Sequence, residues 1–436
     1  MNVLNTERKV GIETFYTNFN GIKGKLRINP EDFIVNELSE YPSKIENGKF
    51  TIAEITSINW ETNKLIRDIS NRLNISRNRI NFAGTKDKRA KTTQLFSFYN
   101  VSKSKLETVK LKDVEIKNVY YSAKPIKIGN LKGNEFKINI RSVCNEIKSG
   151  DVSQIVDFFN DKKGFPNFFG IQRFGIIRPI THLVGKNIVR GDIKKAVMTY
   201  IGNPTKDEAE ETYSLRKKLE ETHDYIWALK NYPNKLNFEK AIINKLVADS
   251  NDYTSALKEL PKNLLTMFIY AYQSYLFNKI LSSRIKEGIP IDRAVIGDIV
   301  LPVRKKNVED EYIKVNKNNI DKVNFQISRG KALVSGVLFG TDSIFSEGDM
   351  GEIEHRIIES EKIDSRDFII PEIPYISSSG SRRSIFAEII NLKYKLLADK
   401  LNSGKKMLNL NFTLNKGCYA TSLLREFMKS DSIRNY

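Results

Sequence analysis

The chain has 436 residues, 40% hydrophobic and 28% charged, which is enough for two or three domains with proper cores. Its 71 Lys and Arg against 52 Asp and Glu leave a formal net charge of +19, favouring a polyanionic partner, nucleic acid ahead of an anionic membrane surface. Two cysteines far apart exclude a disulfide framework and every multi-cysteine zinc site, and none of the three histidines forms a metal-ligand pair. The first ten residues carry no apolar run of signal-peptide type, so a soluble, cytoplasmic protein without a membrane partner is expected.

Taken in order, Ile22, Leu26 and Ile28, then Phe33 and Val35, predict two short strands broken at Asn29-Pro30. Residues 62–76 repeat Leu65, Ile69 and Leu73 every fourth position, with Ile66 widening the stripe. This predicts an amphipathic helix, with Thr62 as N-cap, that buttresses a central sheet. Arg77 and Arg79 extend a basic surface. Ile80, Phe82 and Ala83 then end a short strand, Gly84 turns, and Leu95-Phe96-Ser97-Phe98 begin another. On that turn the single carboxylate of Asp87 stands among Lys86, Lys88, Arg89 and Lys91. A cationic surround keeps a carboxylate ionised and suits it to act as nucleophile or general base. The same pattern also suits a surface turn whose cations merely solvate a loop.

Residues 114–141 alternate as strands do. Within them a glycine turn at Gly129 and Gly133 leads into Asn134, whose amide can read the polar edge of a base, and Phe136, whose ring can stack. A hairpin turn with a core phenylalanine fits the same residues. The stretch 164–175 is dense in Gly, Pro and aromatics and suits a rigid loop, on which Arg173 is either a phosphate ligand or a structural anchor. Residues 180–290 read as helical. The segment 264–284 is apolar on nearly every side, yet Gln273, Ser274, Asn278 and Lys279 interrupt it too soon for a membrane span, so a buried core helix is expected. Val308-Glu309-Asp310-Glu311 reads as a solvated loop ahead of a metal cluster. Ser377–Arg383 is the best linker candidate, adding Arg382 and Arg383 to the basic residues expected to meet RNA, and a last strand pair follows, ending in 416–427.

Gly84-x-Lys86-Asp87-Lys88-x-Ala90-x-Thr92-x-Gln94 resembles the signature loop of the TruD family of RNA pseudouridine synthases. The Pro30-Glu31-Asp32-Phe33 segment, the Gly133-Asn134-x-Phe136 turn, the 166–175 loop, the segment 271–278 and the closing Tyr419-Ala420-Thr421 are similar to further family segments, in family order. The resemblance, running from residue 21 to 427, implies an α+β fold: a pseudouridine-synthase catalytic domain with a bent, mainly antiparallel sheet, interrupted by an inserted α/β TruD-specific domain. The expected division is 1–163 plus 388–436 for the catalytic domain and 164–387 for the insert. The resemblance makes Asp87 the catalytic nucleophile. It places Arg27 where a bacterial member carries a lysine pairing with that aspartate, a swap of a point charge for a planar fork. It makes Phe33, Asn134, Phe136 and Tyr419 substrate contacts, the tyrosine standing where a bacterial member has phenylalanine. Lys86, Lys88, Arg89, Lys91, Arg173, Arg382 and Arg383 are then the RNA-binding candidates.

The implied activity is isomerisation of a tRNA uridine, uridine 13 in the dihydrouridine arm, to pseudouridine. It needs no cofactor, and the chain is expected to act as a monomer with no protein partner. A non-catalytic RNA-binding or RNA-folding protein is the alternative suggested by charge alone. A zinc base deaminase is disfavoured because neither His-x-Glu nor Pro-Cys-x-x-Cys occurs.

Overall fold

The computed structural model describes residues 3–303 and 312–436, so the acidic stretch 308–311 lies outside the described residues. The chain divides into two compact units, one formed by Thr17–Phe165 with Ala387–Tyr436, the other by the residues up to Tyr16 with Pro166–Phe386.

The first unit runs β1 (Phe33–Ser39), β2 (Phe50–Ile58), α1 (Thr62–Leu73), β3 (Ile80–Phe82), β4 (Lys91–Tyr99), β5 (Val114–Ser122), β6 (Leu131–Val143), α2 (Ser149–Lys162) and β7 (Gly164–Pro166). The second unit holds most of the helices, including the 25-residue α3 (Lys262–Lys286). It also has a four-stranded sheet built from β8 (Ile299–Pro302), β9 (Ile313–Lys314), β10 (Ala332–Leu338) and β11 (Ser381–Ser384), with α4 (Gly348–Ser360) between the last two. The chain then returns to the first unit through β12 (Phe386–Ala398), β13 (Lys406–Asn415) and α5 (Ala420–Met428).

The large sheet has nine strands in the order β5-β2-β4-β1-β6-β13-β12-β7, with β3 beside β4. β1 and β4 are parallel, while the β1–β6, β6–β13, β12–β13, β2–β4, β2–β5 and β3–β4 pairs are antiparallel. Register slips at Leu38/Ser39, Ile52/Glu54, Ile390/Lys393 and Lys406/Leu408 interrupt the ladders, and such irregularities bend and twist a sheet. This is the α+β architecture expected, with the alternation of 114–141 appearing as β5 and β6. On one face α1 buries Leu65, Ile66, Ile69 and Leu73 against Ala53, Ile55, Phe96 and Phe98. Farther along the sheet Phe136 stacks on Phe412 with ring centroids 5.3 Å apart.

Several expectations need correction. The N-cap of α1 is Glu61, whose carboxylate accepts from the Asn63 and Lys64 N–H groups. Asn74, in the left-handed conformation, closes the helix. Thr62 uses its hydroxyl elsewhere. Residues up to Tyr16 belong to the second unit: Asn278 Nδ2 donates to Val10 O, Ser282 Oγ to Gly11 O, and Lys286 pairs with Glu13. The serine-rich stretch before residue 384 is no linker, because Ser381–Ser384 pairs with Ser335–Leu338 as an edge strand. Residues 420–428 form a helix where strand was expected to continue. No helix among the described residues is long and apolar enough to cross a membrane.

Candidate active site

The segment before β1 is pinned by a buried carboxylate. Asp32 Oδ2 accepts from the Asn29 N–H at 2.9 Å, and its Oδ1 from Arg141 Nε at 2.7 Å. Arg141 in turn reaches Asp399 Oδ1 at 2.9 Å. Burial alone would raise the Asp399 carboxyl. The Ser142 N–H, the Asn402 amide, the Leu401 N–H and Arg141 outweigh it and hold the group at about 2. Just upstream, Arg27 adopts φ 54°, left-handed backbone uncommon for a non-glycine residue. It is braced there because its neighbour Leu26 donates to Asn435 O at 2.7 Å, while Arg89 Nη2 donates to the Arg27 carbonyl at 2.9 Å.

So placed, the Arg27 guanidinium lies over the Phe33 ring, 4.1 Å from its centroid, and Nη2 donates to Asp87 Oδ2 at 2.8 Å. The pair is asymmetric: the arginine side chain is 7% exposed and the aspartate 43%. Burial lowers the Arg27 pKa, Asp87 opposes that shift, and the charge of Arg89 adds to it. No donor among the described residues takes Asp87 Oδ1. The carboxylate is thus aimed by one oxygen and open at the other.

The loop that carries Asp87 is held from several sides. The Lys86 N–H donates to Thr62 Oγ1 at 2.9 Å, and Gln94 Nε2 donates to Gly84 O at 3.2 Å. Lys86 Nζ meets Glu37 at 2.5 Å, with both side chains almost fully buried. This corrects the expectation for Lys86: its ammonium neutralises a buried carboxylate and is not presented to a phosphate. Lys88 and Arg89 are exposed, and Lys91 is half-buried at the start of β4.

Asn134 faces Glu37 across the β1–β6 ladder and Leu414 across β6–β13. Its Oδ1 is buried and has no partner among the described residues. A buried polar atom without a partner is costly, so the amide is suited to a ligand that supplies a donor. Gly133 before it has to be glycine, since a Cβ there would collide with the Leu414 carbonyl. Phe33 and Phe136 are packed edge to face at 6.3 Å and are 1% and 7% exposed. Phe33 forms the floor under Arg27, Phe136 is stacked on Phe412, and neither offers an open ring face to a base, which corrects the stacking expected of Phe136. Tyr419 is half-buried at the N-cap of α5.

The other three candidates belong to the second unit. Arg382 is 7% exposed and donates to Ser335 Oγ, Ile344 O, Ser346 Oγ and Glu354 Oε1. It anchors its unit and is not available to RNA. Arg383 donates to Asn167 Oδ1 at 2.8 Å and stacks on Phe169 at 4.2 Å. Arg173 is half-buried on the turn Ile171–Arg173. From the sequence Thr62 reads as a helix cap, Gln94 as one member of the signature loop and Glu37 as a residue without a role; their ties to the Asp87 loop appear only in the structure. The available signal was a carboxylate on a strand otherwise rich in buried positions and a glutamine in an apolar run. Among the described residues no group of three or more His, Cys, Asp or Glu side chains could hold a metal.

Three comparisons bear on this geometry. The family model of tRNA pseudouridine synthase D (TruD) matches residues 9–427. A probable tRNA pseudouridine synthase D of Methanococcoides burtonii is 44% identical over 437 residues, covering 99% of each chain. One from Pyrococcus furiosus is 37% identical, covering 97% of this chain and 99% of that one. A crystal structure described as the putative tRNA pseudouridine synthase D of Methanosarcina mazei superposes with a TM-score of 0.88 at 40% identity, covering all of both chains.

Proposed function

This chain belongs to the TruD family of tRNA pseudouridine synthases, and we propose that it isomerises uridine 13 of tRNA with Asp87 as the nucleophile. The observation that carries this reading is the one-sided pair: a buried, ring-supported Arg27 holding one oxygen of an accessible Asp87 carboxylate. A structural salt bridge has no need to leave its acid open while burying its base.

The target uridine leaves the stack, because its ring cannot be reached inside a helix. Asp87 Oδ1 attacks either C1′ of the ribose or C6 of the uracil, and the N1–C1′ bond breaks. Negative charge passes from the carboxylate to the departing base, where Arg27 still faces it. The Asn134 amide holds the polar edge of the base as it turns. C5 then bonds to C1′, C5 gives up its proton to solvent, N1 takes one up, and the carboxylate is released. Atoms and electrons balance without an oxidant, reductant or added group.

The test uses tRNA carrying 5-tritiated uridine. The wild-type protein should release one tritium per modified site without added metal or nucleotide. Asp87→Asn keeps the shape but loses the charge. It should bind tRNA as well as the wild type while its turnover falls at least about a thousandfold, or about 4 kcal/mol of transition-state stabilisation. Near-normal release by the variant would overturn the assignment of Asp87, and pseudouridine appearing elsewhere than position 13 would overturn the target.

A further inference from the structure

Lys86, immediately before Asp87, is fixed at both ends. Its Nζ is buried on Glu37 at 2.5 Å and its backbone N–H is donated to Thr62 Oγ1 at 2.9 Å. Thr62 is 3% exposed and opens α1. Its hydroxyl is spare, because the Glu61 carboxylate already accepts from the Asn63 and Lys64 N–H groups of that helix end. The apolar face of α1 is embedded against Ala53, Ile55, Phe96 and Phe98, so the hydroxyl is a fixed point relative to the sheet.

The consequence is geometric. A peptide unit is planar, so holding the Lys86 N–H fixes the orientation of the whole Thr85–Lys86 peptide. Holding Lys86 Nζ as well restricts the direction of its side chain. Few soft torsions then remain between these anchors and the Asp87 carboxylate. On the upstream side Gln94 holds the Gly84 carbonyl. Of these ties only the Thr62 bond reaches the peptide directly before Lys86.

We propose that Thr62 is a positioning residue for the reaction, its hydroxyl holding the Lys86 peptide so that Asp87 meets the target uridine in the attacking geometry. The proposal rests on the reading of Asp87 as nucleophile. Thr62 touches no substrate and acts only through Lys86.

Thr62→Val keeps the size and β-branching and removes the acceptor. Under single turnover on 5-tritiated tRNA its rate should fall by about 30- to 100-fold, since a displacement of about 1 Å can cost about a hundredfold. Its Kd for tRNA should move less than about threefold, because phosphate contacts dominate affinity. Thr62→Ser restores the acceptor and should stay within about threefold of the wild-type rate. Hydrogen exchange gives a readout apart from activity: the Lys86 amide should exchange slowly in the wild type and in Thr62→Ser, and fast in Thr62→Val. The proposal is overturned if Thr62→Val keeps its rate, if binding weakens as much as the rate, if Thr62→Ser is as slow as Thr62→Val, or if the Lys86 amide stays protected without the hydroxyl. Should Thr62→Val fail to fold, Thr62→Ala takes its place under the same criteria, and failure of both would assign Thr62 to stability alone. Asp87→Asn is run in parallel. Full activity there would remove the nucleophile reading, while the Lys86 exchange would still report on the hydroxyl by itself.

Discussion

Replacing Arg27 by methionine tests how Asp87 is aimed. Methionine keeps an unbranched chain over Phe33, so the ring is not left bare, but the cation is gone. The guanidinium and carboxylate touch at 2.8 Å, which puts their charge centres about 4 Å apart; at an effective dielectric of about 20 that is worth about 4 kcal/mol. Asp87 is 43% exposed, and water screens roughly half of this, leaving about 2 kcal/mol. That energy favours the paired rotamer of Asp87 about 30-fold over the alternatives, so losing it should slow single turnover by up to about 30-fold. The effect on the chemical barrier itself should be smaller, because the negative charge moves to the uracil and a nearby cation serves both states. Affinity for tRNA should change less than about threefold, since Arg27 is buried and one cation among many. Arg27→Lys should recover part of the rate, restoring the charge without the planar fork that lies on Phe33. Single-turnover tritium release with saturating enzyme measures the rate, and filter binding the affinity. If Arg27→Met reacts within threefold of wild type, Lys88 or Arg89 holds Asp87 instead and the reasoning fails.

Other outcomes follow from the same contacts. Lys88→Ala with Arg89→Ala should flatten the dependence of log Kd on log salt by roughly one to two units of slope, and an unchanged slope in a salt titration would place both residues away from RNA. Arg382→Ala should leave tRNA affinity unaltered and cost about 3–5 kcal/mol in urea denaturation, because it strands the buried Glu354 carboxylate; a loss of affinity at intact stability would reverse that reading. His182 is buried between Phe174 and Tyr275, and burial lowers its pKa to about 4. The unfolded chain therefore binds this proton first, and stability present above pH 6.5 should drain by up to about 3 kcal/mol as pH falls towards 4. Urea midpoints at pH 7 and 4.5 should differ less in His182→Phe than in wild type, and equal pH slopes would exclude this group as the cause.

What the sequence made legible was contiguous. The glycine turn before Asp87, the apolar run of β4, the alternation of β6 and the stripe of α1 are all written within a dozen residues, and each appears in the structure. What it concealed were partners far away in the chain. Lys86 sits in a run of cations and reads as exposed, but its counter-charge Glu37 is 49 residues upstream and buried. Arg382 follows a serine-rich stretch and reads as linker, yet its acceptors lie 28 to 47 residues earlier. A charge in a charged run carries no local sign of whether a distant strand will cover it.

Polar residues in apolar surroundings are the opposite case, and they point to their partners more openly. In α3 the interruptions that argue against a membrane span each turn out to be satisfied within the same unit. Gln273 donates to Phe339 O, Ser274 to Tyr270 O, and Asn278 bonds Val10 O together with both backbone groups of Phe169. A buried polar group without a partner costs about 1–3 kcal/mol, so such residues persist where something must be held. Asn278, with Ser282 and Lys286, ties the N-terminal segment into the second unit, and residues up to Tyr16 accordingly group there and not with the large sheet. Thr62 is the converse: the sequence reads it as the cap of α1, and only because Glu61 takes that part in the structure is the buried hydroxyl left to anchor the Asp87 loop through the Lys86 N–H.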